Sequence, residues 1–273
     1  MVKQFRLARI PQIVFRSGAI NDIPAIAAGY GNNLAIVTGA RSLAASPKYE
    51  ILLEQLTSLG VRISHVSVAG EPSPAIIDEA VNRLKGAGIS LVAGIGGGSV
   101  MDAGKAISAM LTVDGSVTDF LEVVGSREHP GTKIPFIAVP TTSGTGSEAT
   151  KNAVITKVGR EGFKRSLRHD NFVPDLAIVD PELTLECPPE ITAASGMDCF
   201  TQLTEAFLSD KASPMTDALA IDGLKAVNRS LMKTYTNGDD IKARSDMSYA
   251  ALMSGICLAN AGLGAVHGLA GTT

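Results

Sequence analysis

The stretch ISLVAGIGGG, residues 89–98, decides the fold, and a helical pattern follows it over residues 99–110. A continuous apolar run that ends in glycines is typical of a strand buried on both faces of a parallel sheet. Glycines at such a turn let backbone amides approach an anion, and the N-terminus of the next helix favours negative charge. The spacing matches neither a Walker A loop nor the usual G-x-G-x-x-G turn. This segment alone leaves phosphate binding and a tight structural turn equally open.

Short apolar runs alternate with helical patterns on both sides of this segment. Strands that alternate with helices of about a dozen residues predict a parallel sheet covered by helices on both faces. The predicted strands cover 34–39, 61–68, 89–98, 133–142 and 176–183, and the predicted helices cover 46–58, 74–86 and 99–110.

The pattern changes after Pro188-Pro189, where three helical patterns follow one another, separated by breaks at Ser213-Pro214 and Asn237-Gly238. We therefore predict an α/β protein in which a Rossmann-like parallel-sheet domain (1–187) precedes an all-helical domain (188–273).

Composition narrows the class of protein. The 273 residues carry a net charge of −3 without charge blocks, and only 4% are aromatic, which argues against nucleic acid as a partner. The three cysteines (Cys187, Cys199 and Cys257) form no CxxC pair, so we expect reduced thiols. The N-terminus lacks the apolar core of a signal peptide, and we expect a cytoplasmic protein. The uncharged stretch 247–273 predicts a buried core helix rather than a membrane span.

A second polar loop, PTTSGTGSE at 140–148, follows the predicted strand FIAVP. Ligands of open α/β folds bind at the carboxyl ends of the strands. Two polar glycine loops at the ends of two strands of one sheet can converge on one crevice, which favours a nucleotide over a merely flexible Ser/Gly loop.

A third constellation combines Asp198, Gln202 and His267. Asp198 and Gln202 are four residues apart, so on a helix they share a face. A carboxylate, an amide oxygen and an imidazole could hold a divalent cation. The same residues are equally compatible with a helix cap at Asp198 and a core histidine at position 267.

Taken in order, these motifs resemble the iron-containing (group III) alcohol dehydrogenase family. The resemblance is carried by GGGS at 96–99 with Asp102 and Lys105-Ala106, PTTSGTGSEAT at 140–150, DPELT at 180–184, GMD at 196–198 and LGAVHG at 263–268. It implies an oxidoreductase that uses NAD(P) and a divalent metal, Fe²⁺ or alternatively Zn²⁺, and transfers hydride between the nicotinamide and a small alcohol or aldehyde. A homo-oligomer is compatible with this family, and the composition and hydropathy described above argue against a nucleic-acid or membrane partner.

Positions matched to the family's motifs assign the site. The cofactor contacts implied are Gly39, Gly97, Gly98, Ser99, Asp102, Thr141, Thr142, Ser143 and Lys164, and the metal ligands implied are Asp198, Gln202 and His267. Position 39 often carries an aspartate in the family that repels a 2′-phosphate. Gly39, with Arg41 beside it, therefore predicts that NADP(H) is accepted.

Three departures from the family pattern qualify this prediction. Gln202 and Gly271 stand where many members have histidines, and the sequence stops at Thr273, before further helices and another metal-ligating histidine. We therefore expect an incomplete helical domain with a weakened metal site and exposed apolar surface on a predicted 247–271 helix. Other chemistries of this architecture stay open: maleylacetate reduction, glycerol oxidation, dehydroquinate synthase-type chemistry, a metal-independent reductase, and a catalytically dead nucleotide-binding module.

Overall fold

The computed structural model describes residues 3–40 and 46–270. Its main sheet has six parallel strands: β1 (Gln12–Phe15), β2 (Asn33–Gly39), β3 (Arg62–Val68), β4 (Leu91–Gly96), β5 (Phe136–Pro140) and β8 (Leu176–Val179). Their order across the sheet is β1-β8-β5-β4-β2-β3. Two further strands, β6 (Asn152–Lys157) and β7 (Phe163–Arg168), form an antiparallel hairpin outside the sheet.

Four helices accompany the sheet: α1 (Ile23–Tyr30), α2 (Pro47–Ser58), α3 (Pro74–Leu84) and α4 (Gly98–Met110). Both faces of the sheet are covered because successive residues of a strand point in opposite directions. In β2, Ala35 and Val37 pack into the core that holds α3 and α4, whereas Leu34 and Ile36 pack into the core that holds α1 and α2. This two-sided burial explains why the central strands contain so few polar residues, and it confirms the predicted fold class.

The helical region follows: α5 (Pro189–Leu208), α6 (Pro214–Thr236), α7 (Ile241–Ala261) and the short α8 (Ala265–Ala270). The predicted breaks after α5 and α6 are confirmed. The predicted single helix over 247–271 is wrong, because α7 ends at Ala261 and Gly262 adopts a φ of 75°, outside the helical region. Within the described residues, no helix combines the length and the apolar character that crossing a membrane requires.

The edge strand β1, the helix α1 and the hairpin of β6 and β7 were not predicted. β1 has only four residues, QIVF, and the hairpin's second strand, FKRSLR, is dominated by charged and polar side chains. The apolar run of β1 is too short to indicate a strand, and β7 lacks the continuous apolar character of the central strands. The three cysteines are free, as their number predicted, and burial raises the pKa of the Cys257 thiol to about 12.

Candidate functional site

A cavity of about 800 Å³ lies at the carboxyl ends of the parallel strands. Residues that follow five of the six strands line it, as expected for a ligand site in an open α/β fold. Its lining includes Gly39, Ala40, Ser46, Lys48, Val68, Ala69, Gly70, Ser99, Val100, Thr141, Thr142, Glu182, Leu183, Leu185, Glu186, Cys187, Pro188 and Ile191.

The two polar glycine loops meet at this cavity, as their positions in the sequence predicted. The amide of Thr141 donates to the carbonyl of Gly96 at 2.9 Å. A Cβ added to Gly98 would lie 2.8 Å from Cγ2 of Thr145, and one added to Gly97 would lie 3.3 Å from Oγ1 of Thr142. A side chain at position 98 would therefore require the side chain of Thr145 to shift.

The N-terminus of α4 is available to an anion. Gly97 precedes the helix and supplies no side-chain cap, and Ser99 lines the cavity. The amides of Val100 and Met101 already donate to the carbonyl of Gly97, so the amides that precede them, those of Gly98 and Ser99, are the ones an anion would use, and the helix dipole adds positive potential there. Gly97, Gly98 and Ser99 thus occupy a position suited to binding a pyrophosphate.

Asp102 holds the second loop rather than lining the cavity. One carboxylate oxygen accepts from Oγ of Ser147 at 2.6 Å and the other from the amide of Val154 at 3.1 Å. The fully buried Lys105 donates to the carbonyl of Ser147 at 2.9 Å and to Oγ1 of Thr150 at 3.0 Å. Contact between Asp102 and a cofactor stays a prediction, and the contacts present fix the shape of the loop.

Only some of the remaining predicted cofactor residues line the cavity. Gly39, Thr141 and Thr142 line the cavity, whereas Ser143 turns away to Oγ of Ser248 at 3.2 Å. The amine of Lys164, on β7, donates to Oε1 of Glu71 at 2.6 Å, just beyond the lining residue Gly70. Arg41, which the sequence analysis placed beside Gly39, lies outside the described residues, as does Gly271.

Asp198, Gln202 and His267 come together, as predicted. Asp198 and Gln202 lie on one face of α5, and Nε2 of Gln202 donates to Oδ2 of Asp198 at 3.0 Å. His267, on α8, places Nε2 at 3.0 Å from Oδ1 of Asp198. The two alternative interpretations are wrong, since Asp198 lies in the middle of α5 and both ring nitrogens of His267 contact carboxylates rather than a core.

Glu205 completes this cluster and was missed by the sequence analysis. Its Oε2 lies 2.6 Å from Nδ1 of His267, and its Oε1 accepts from the amide of Val266 at 2.7 Å. Burial lowers the pKa of His267, but hydrogen bonds to Asp198 and Glu205 outweigh it and raise the pKa above its usual value. The signal was present in the sequence, because Glu205 is seven residues after Asp198 and therefore on the same helical face.

The donor atoms of this cluster, oxygen and nitrogen, are of the kinds that bind divalent cations. A carboxylate oxygen and an imidazole nitrogen face each other, and the far nitrogen of the imidazole is held by a carboxylate, as is usual for metal-binding histidines. The amide of Gln202 would have to turn over to offer its oxygen, which now lies 3.3 Å from Oγ of Ser254. Among the described residues, no three His, Cys, Asp or Glu side chains are grouped to hold an ion.

The second polar loop connects the cavity with this cluster. Oγ of Ser254, on α7, lies 3.3 Å from the carbonyl of Gly144 and 3.3 Å from Oε1 of Gln202. Gly144 packs against Ser195 of α5 so closely that an added Cβ would lie 2.6 Å from the serine Cβ. A ligand bound against Thr141 and Thr142 therefore lies on the same loop that supports the Asp198 face of α5.

Two family sequence models match the chain in succession. The model described as iron-containing alcohol dehydrogenase matches residues 11–181, and the model of the C-terminal region of the Fe-containing alcohol dehydrogenase family matches residues 192–273.

Individual relatives agree with this match. The chain is 40% identical over 206 residues to long-chain-alcohol dehydrogenase 1 of Geobacillus thermodenitrificans, covering 76% of this chain and 51% of that protein. It is 34% identical to the NAD-dependent methanol dehydrogenase of Bacillus methanolicus, covering 95% of this chain and 67% of that protein. The chain thus spans between about half and two thirds of the length of these relatives.

A solved structure shows the same fold. The archaeal halo-thermophilic Red Sea brine pool alcohol dehydrogenase superposes with a TM-score of 0.91 at 30% sequence identity. The superposition covers 99% of this chain and 69% of that one. The similarity therefore extends over both the sheet and the helical region described above.

Proposed function

This chain belongs to the iron-containing alcohol dehydrogenase family, and we propose that it acts as an oxidoreductase on CH–OH groups. The reaction is hydride transfer between NAD(P)(H) and a small alcohol or aldehyde. The observation that carries this proposal is the loop 141–147, which lines the nucleotide-sized cavity at one end and contacts the helices of the Asp198 cluster at the other.

The sheet-side residues bind and orient the cofactor in this proposal. The N-terminus of α4 holds the pyrophosphate through the amides around Ser99, and Thr141 and Thr142 contact the phosphates and the nicotinamide side. Lys164 approaches from β7 once it exchanges Glu71 for a cofactor oxygen. Holding the nicotinamide and the substrate in one fixed arrangement is the protein's main contribution to a hydride transfer.

Asp198 and His267 are the residues that would hold a divalent ion, with Gln202 as an additional oxygen donor. When bound, an iron or zinc ion supplies a Lewis acid that polarises the substrate oxygen. An amide is a harder and weaker donor than the imidazole common at position 202, so we expect weaker iron binding than in members with that histidine.

NADP(H) is accepted as cofactor in this proposal, because Gly39 ends β2 at the cavity without a side chain that could repel a 2′-phosphate. The proposed cofactor specificity is therefore broader than that of family members with an aspartate at this position.

A second candidate is a reductase that works without a metal. The residue at position 202 favours it, since an amide is a weaker donor to a metal ion than the imidazole that many family members have there. In that case Asp198 and His267 would bind the substrate oxygen by hydrogen bonds alone. The two candidates share the cofactor site and differ only in their need for an ion.

The test is elemental analysis of the purified protein combined with NADPH-dependent reduction of a panel of small aldehydes, with and without added iron or zinc. Turnover with near-stoichiometric metal supports the first candidate, and turnover that chelators leave unchanged supports the second. Cofactor binding without turnover in any condition would reject both and favour a nucleotide-binding module.

A further inference from the structure

The loop 141–147 touches α7 backbone to backbone. Gly146 of the loop lies against Gly255, in the second half of α7. A Cβ added to Gly255 would lie 2.8 Å from the carbonyl carbon of Gly146 and closer still to its oxygen. A Cβ added to Gly146 would lie 2.6 Å from the carbonyl oxygen of Ala251. Carbon atoms pack at about 3.5–4.0 Å, so neither glycine position has room for a side chain.

Gly144 makes a second close contact, with α5. An added Cβ there would lie 2.6 Å from the Cβ of Ser195 and 2.9 Å from its carbonyl oxygen. Ser195 precedes Asp198 by three residues, so it lies about one helical turn before it. The loop 141–147 is thus held against both α5 and α7 at positions that lack side chains.

The far side of the loop is anchored to α4. The carbonyl of Ser147 accepts from the buried amine of Lys105 at 2.9 Å, and the hydroxyl of Ser147 donates to Asp102 at 2.6 Å. Moving the loop would remove partners from a buried ammonium group, which is costly. A displacement at the contact with Gly255 is therefore taken up by the helices rather than by the loop.

α7 passes such a displacement on to α5. The two helices share one apolar core, in which Leu203 of α5 lies with Ala251 and Ile256 of α7. Next to Gly255, Oγ of Ser254 lies 3.3 Å from Oε1 of Gln202. Packed cores transmit strain because they have few voids. The helical face that carries Asp198 therefore follows the position of α7.

The two ends of this connection carry the two halves of the proposed reaction. Thr141 and Thr142 line the cavity, and Asp198 belongs to the cluster on α5. In aldehyde reduction a hydride moves with its electron pair from the nicotinamide to the carbonyl carbon, NADPH becomes NADP⁺, and the oxygen takes a proton from water. A misplacement of about 1 Å between reacting groups can slow such a step about 100-fold.

We infer that the contact between Gly146 and Gly255 sets the distance between the loop 141–147 and the Asp198 cluster, and that Gly255 is a positioning residue for hydride transfer. This inference rests on the proposed function and adds the element that fixes the separation of its two halves. Neither glycine belongs to the described lining of the cavity, so both act through spacing alone.

Gly255→Ala inserts one methyl group into the contact. Gly255 lies within a regular helix, where alanine is the better helix former, so a loss in this variant comes from the contact and not from the backbone. α7 has to move by about 1 Å to restore ordinary packing distances. Gly146 is left unchanged because its φ of 61° itself favours glycine.

The first measurement is the rate of NADPH oxidation by a small aldehyde in a single turnover, with added iron or zinc. We expect Gly255→Ala to lower this rate about 100-fold, whereas the dissociation constant of NADPH and the metal content stay nearly unchanged. Each binding site moves as a unit in this variant, and only their separation changes. A variant that is merely destabilised would lose cofactor and metal binding together with the rate.

The second measurement is a crystal structure of Gly255→Ala, which needs no turnover. We expect the Cα atoms of residues 146 and 255 to lie about 1 Å farther apart than in the wild type. Gly144→Ala imposes a similar displacement at the contact with Ser195. It should show the same loss of rate with binding retained, so the test does not depend on one variant folding.

Gly223→Ala is the matched control. Gly223 is also buried within a helix, α6, but an added Cβ would meet the side chain of Leu203 at 3.0 Å rather than backbone. A side chain can adjust by rotation, so the rate and the spacing between residues 146 and 255 should stay as in the wild type.

A wild-type rate in Gly255→Ala, or an unchanged spacing in its crystal structure, would overturn the inference. A loss of rate that only parallels a loss of NADPH or metal binding would overturn it as well. Failure of the proposed function looks different, because the wild type itself would then reduce no aldehyde. In that case the crystal structure alone decides whether Gly255 sets the spacing.

Discussion

Glu205 and His267 form the contact that ties the last described helix to the rest of the protein, with 2.6 Å between Oε2 and Nδ1. The helix α8 has only six residues, and its apolar residues Val266 and Leu269 are largely exposed. The carboxylate of Glu205 fixes both the ring and the backbone of this short helix, so that Nε2 is directed at Asp198.

Glu205→Gln should weaken metal binding without affecting the cofactor. Loss of the carboxylate frees the imidazole ring and lowers its basicity, and changes of this kind typically cost about 10–100-fold in metal affinity. The measurement is a zinc titration of the metal-free protein against a chromophoric chelator. Glu190→Gln, an exposed glutamate on the same helix, is the control. Equal affinity in Glu205→Gln and the control would reject this role.

Asp198→Asn tests the first predicted metal ligand. The amide keeps the shape of the side chain and its contact with Gln202, but it removes the negative charge that a cation requires. We expect metal retention to be lost while the dissociation constant for NADPH stays within about twofold, since Asp198 does not line the cavity. Elemental analysis and cofactor fluorescence check the two expectations, and unchanged metal content would remove Asp198 from the site.

Gln202→His tests whether the glutamine weakens the site. An imidazole at this position, on the same helical face as Asp198, would supply the nitrogen donor that iron and zinc prefer over an amide oxygen. We expect the affinity for zinc to rise at least about tenfold, on the scale of one added ligand. Gln202→Asn is the matched control, because it keeps an amide. A rise in both variants would show that release of Ser254, not the new ligand, is responsible.

The parallel sheet was predictable because its central strands are buried on both faces, and that burial leaves an unbroken apolar run in the sequence. The two glycine loops were predictable for a related reason, since carboxyl ends of parallel strands share one edge. The strand β1 and the hairpin of β6 and β7 were not, because short or partly exposed strands leave no such pattern.

The parts of the candidate site that could not be predicted were missed for a different reason. Asp198 and Gln202 are linked by helical spacing and could be paired from the sequence, but the contact between Glu205 and His267 joins residues 62 positions apart. Asp102 is the opposite case. It belongs to a recognised motif and was predicted to contact the cofactor, but in the structure it holds a loop and does not line the cavity.

Gly39→Asp should discriminate between the two cofactors. A Cβ at position 39 would lie 3.8 Å from Cγ2 of Val100, an ordinary contact, so the backbone tolerates a side chain there. A carboxylate at the end of β2 repels a 2′-phosphate and can accept a hydrogen bond from a ribose hydroxyl.

We expect the dissociation constant of NADPH to rise at least about tenfold more than that of NADH, as for one unfavourable charge contact near a protein surface. Cofactor fluorescence provides both constants. Gly39→Asn, which has the same shape without the charge, should show little discrimination. Equal losses for NADPH and NADH in Gly39→Asp would place the 2′-phosphate elsewhere.

The buried carboxyl group of Glu148 should make the stability of the protein depend on pH. It is 3% exposed, and burial raises its pKa to about 7 despite the opposing effects of its own backbone amide and Lys105. A folded-state pKa above the unfolded value of 4.5 means that the folded protein binds this proton more tightly. The resulting stability is fully present below pH 4.5 and is lost as the pH rises to about 7.

The measurement is the free energy of unfolding in urea at pH 5 and pH 8 for the wild type and Glu148→Gln. Because glutamine stays neutral, the variant should escape this loss, and the difference between the two proteins should change by up to about 3 kcal/mol between the two pH values. Comparing the two proteins with each other cancels the contributions of the titratable groups that both contain. If the difference between the two unfolding free energies stays constant with pH, Glu148 keeps one charge state over this range. The charge of Lys105 would then stabilise the ionised carboxylate enough to offset its burial.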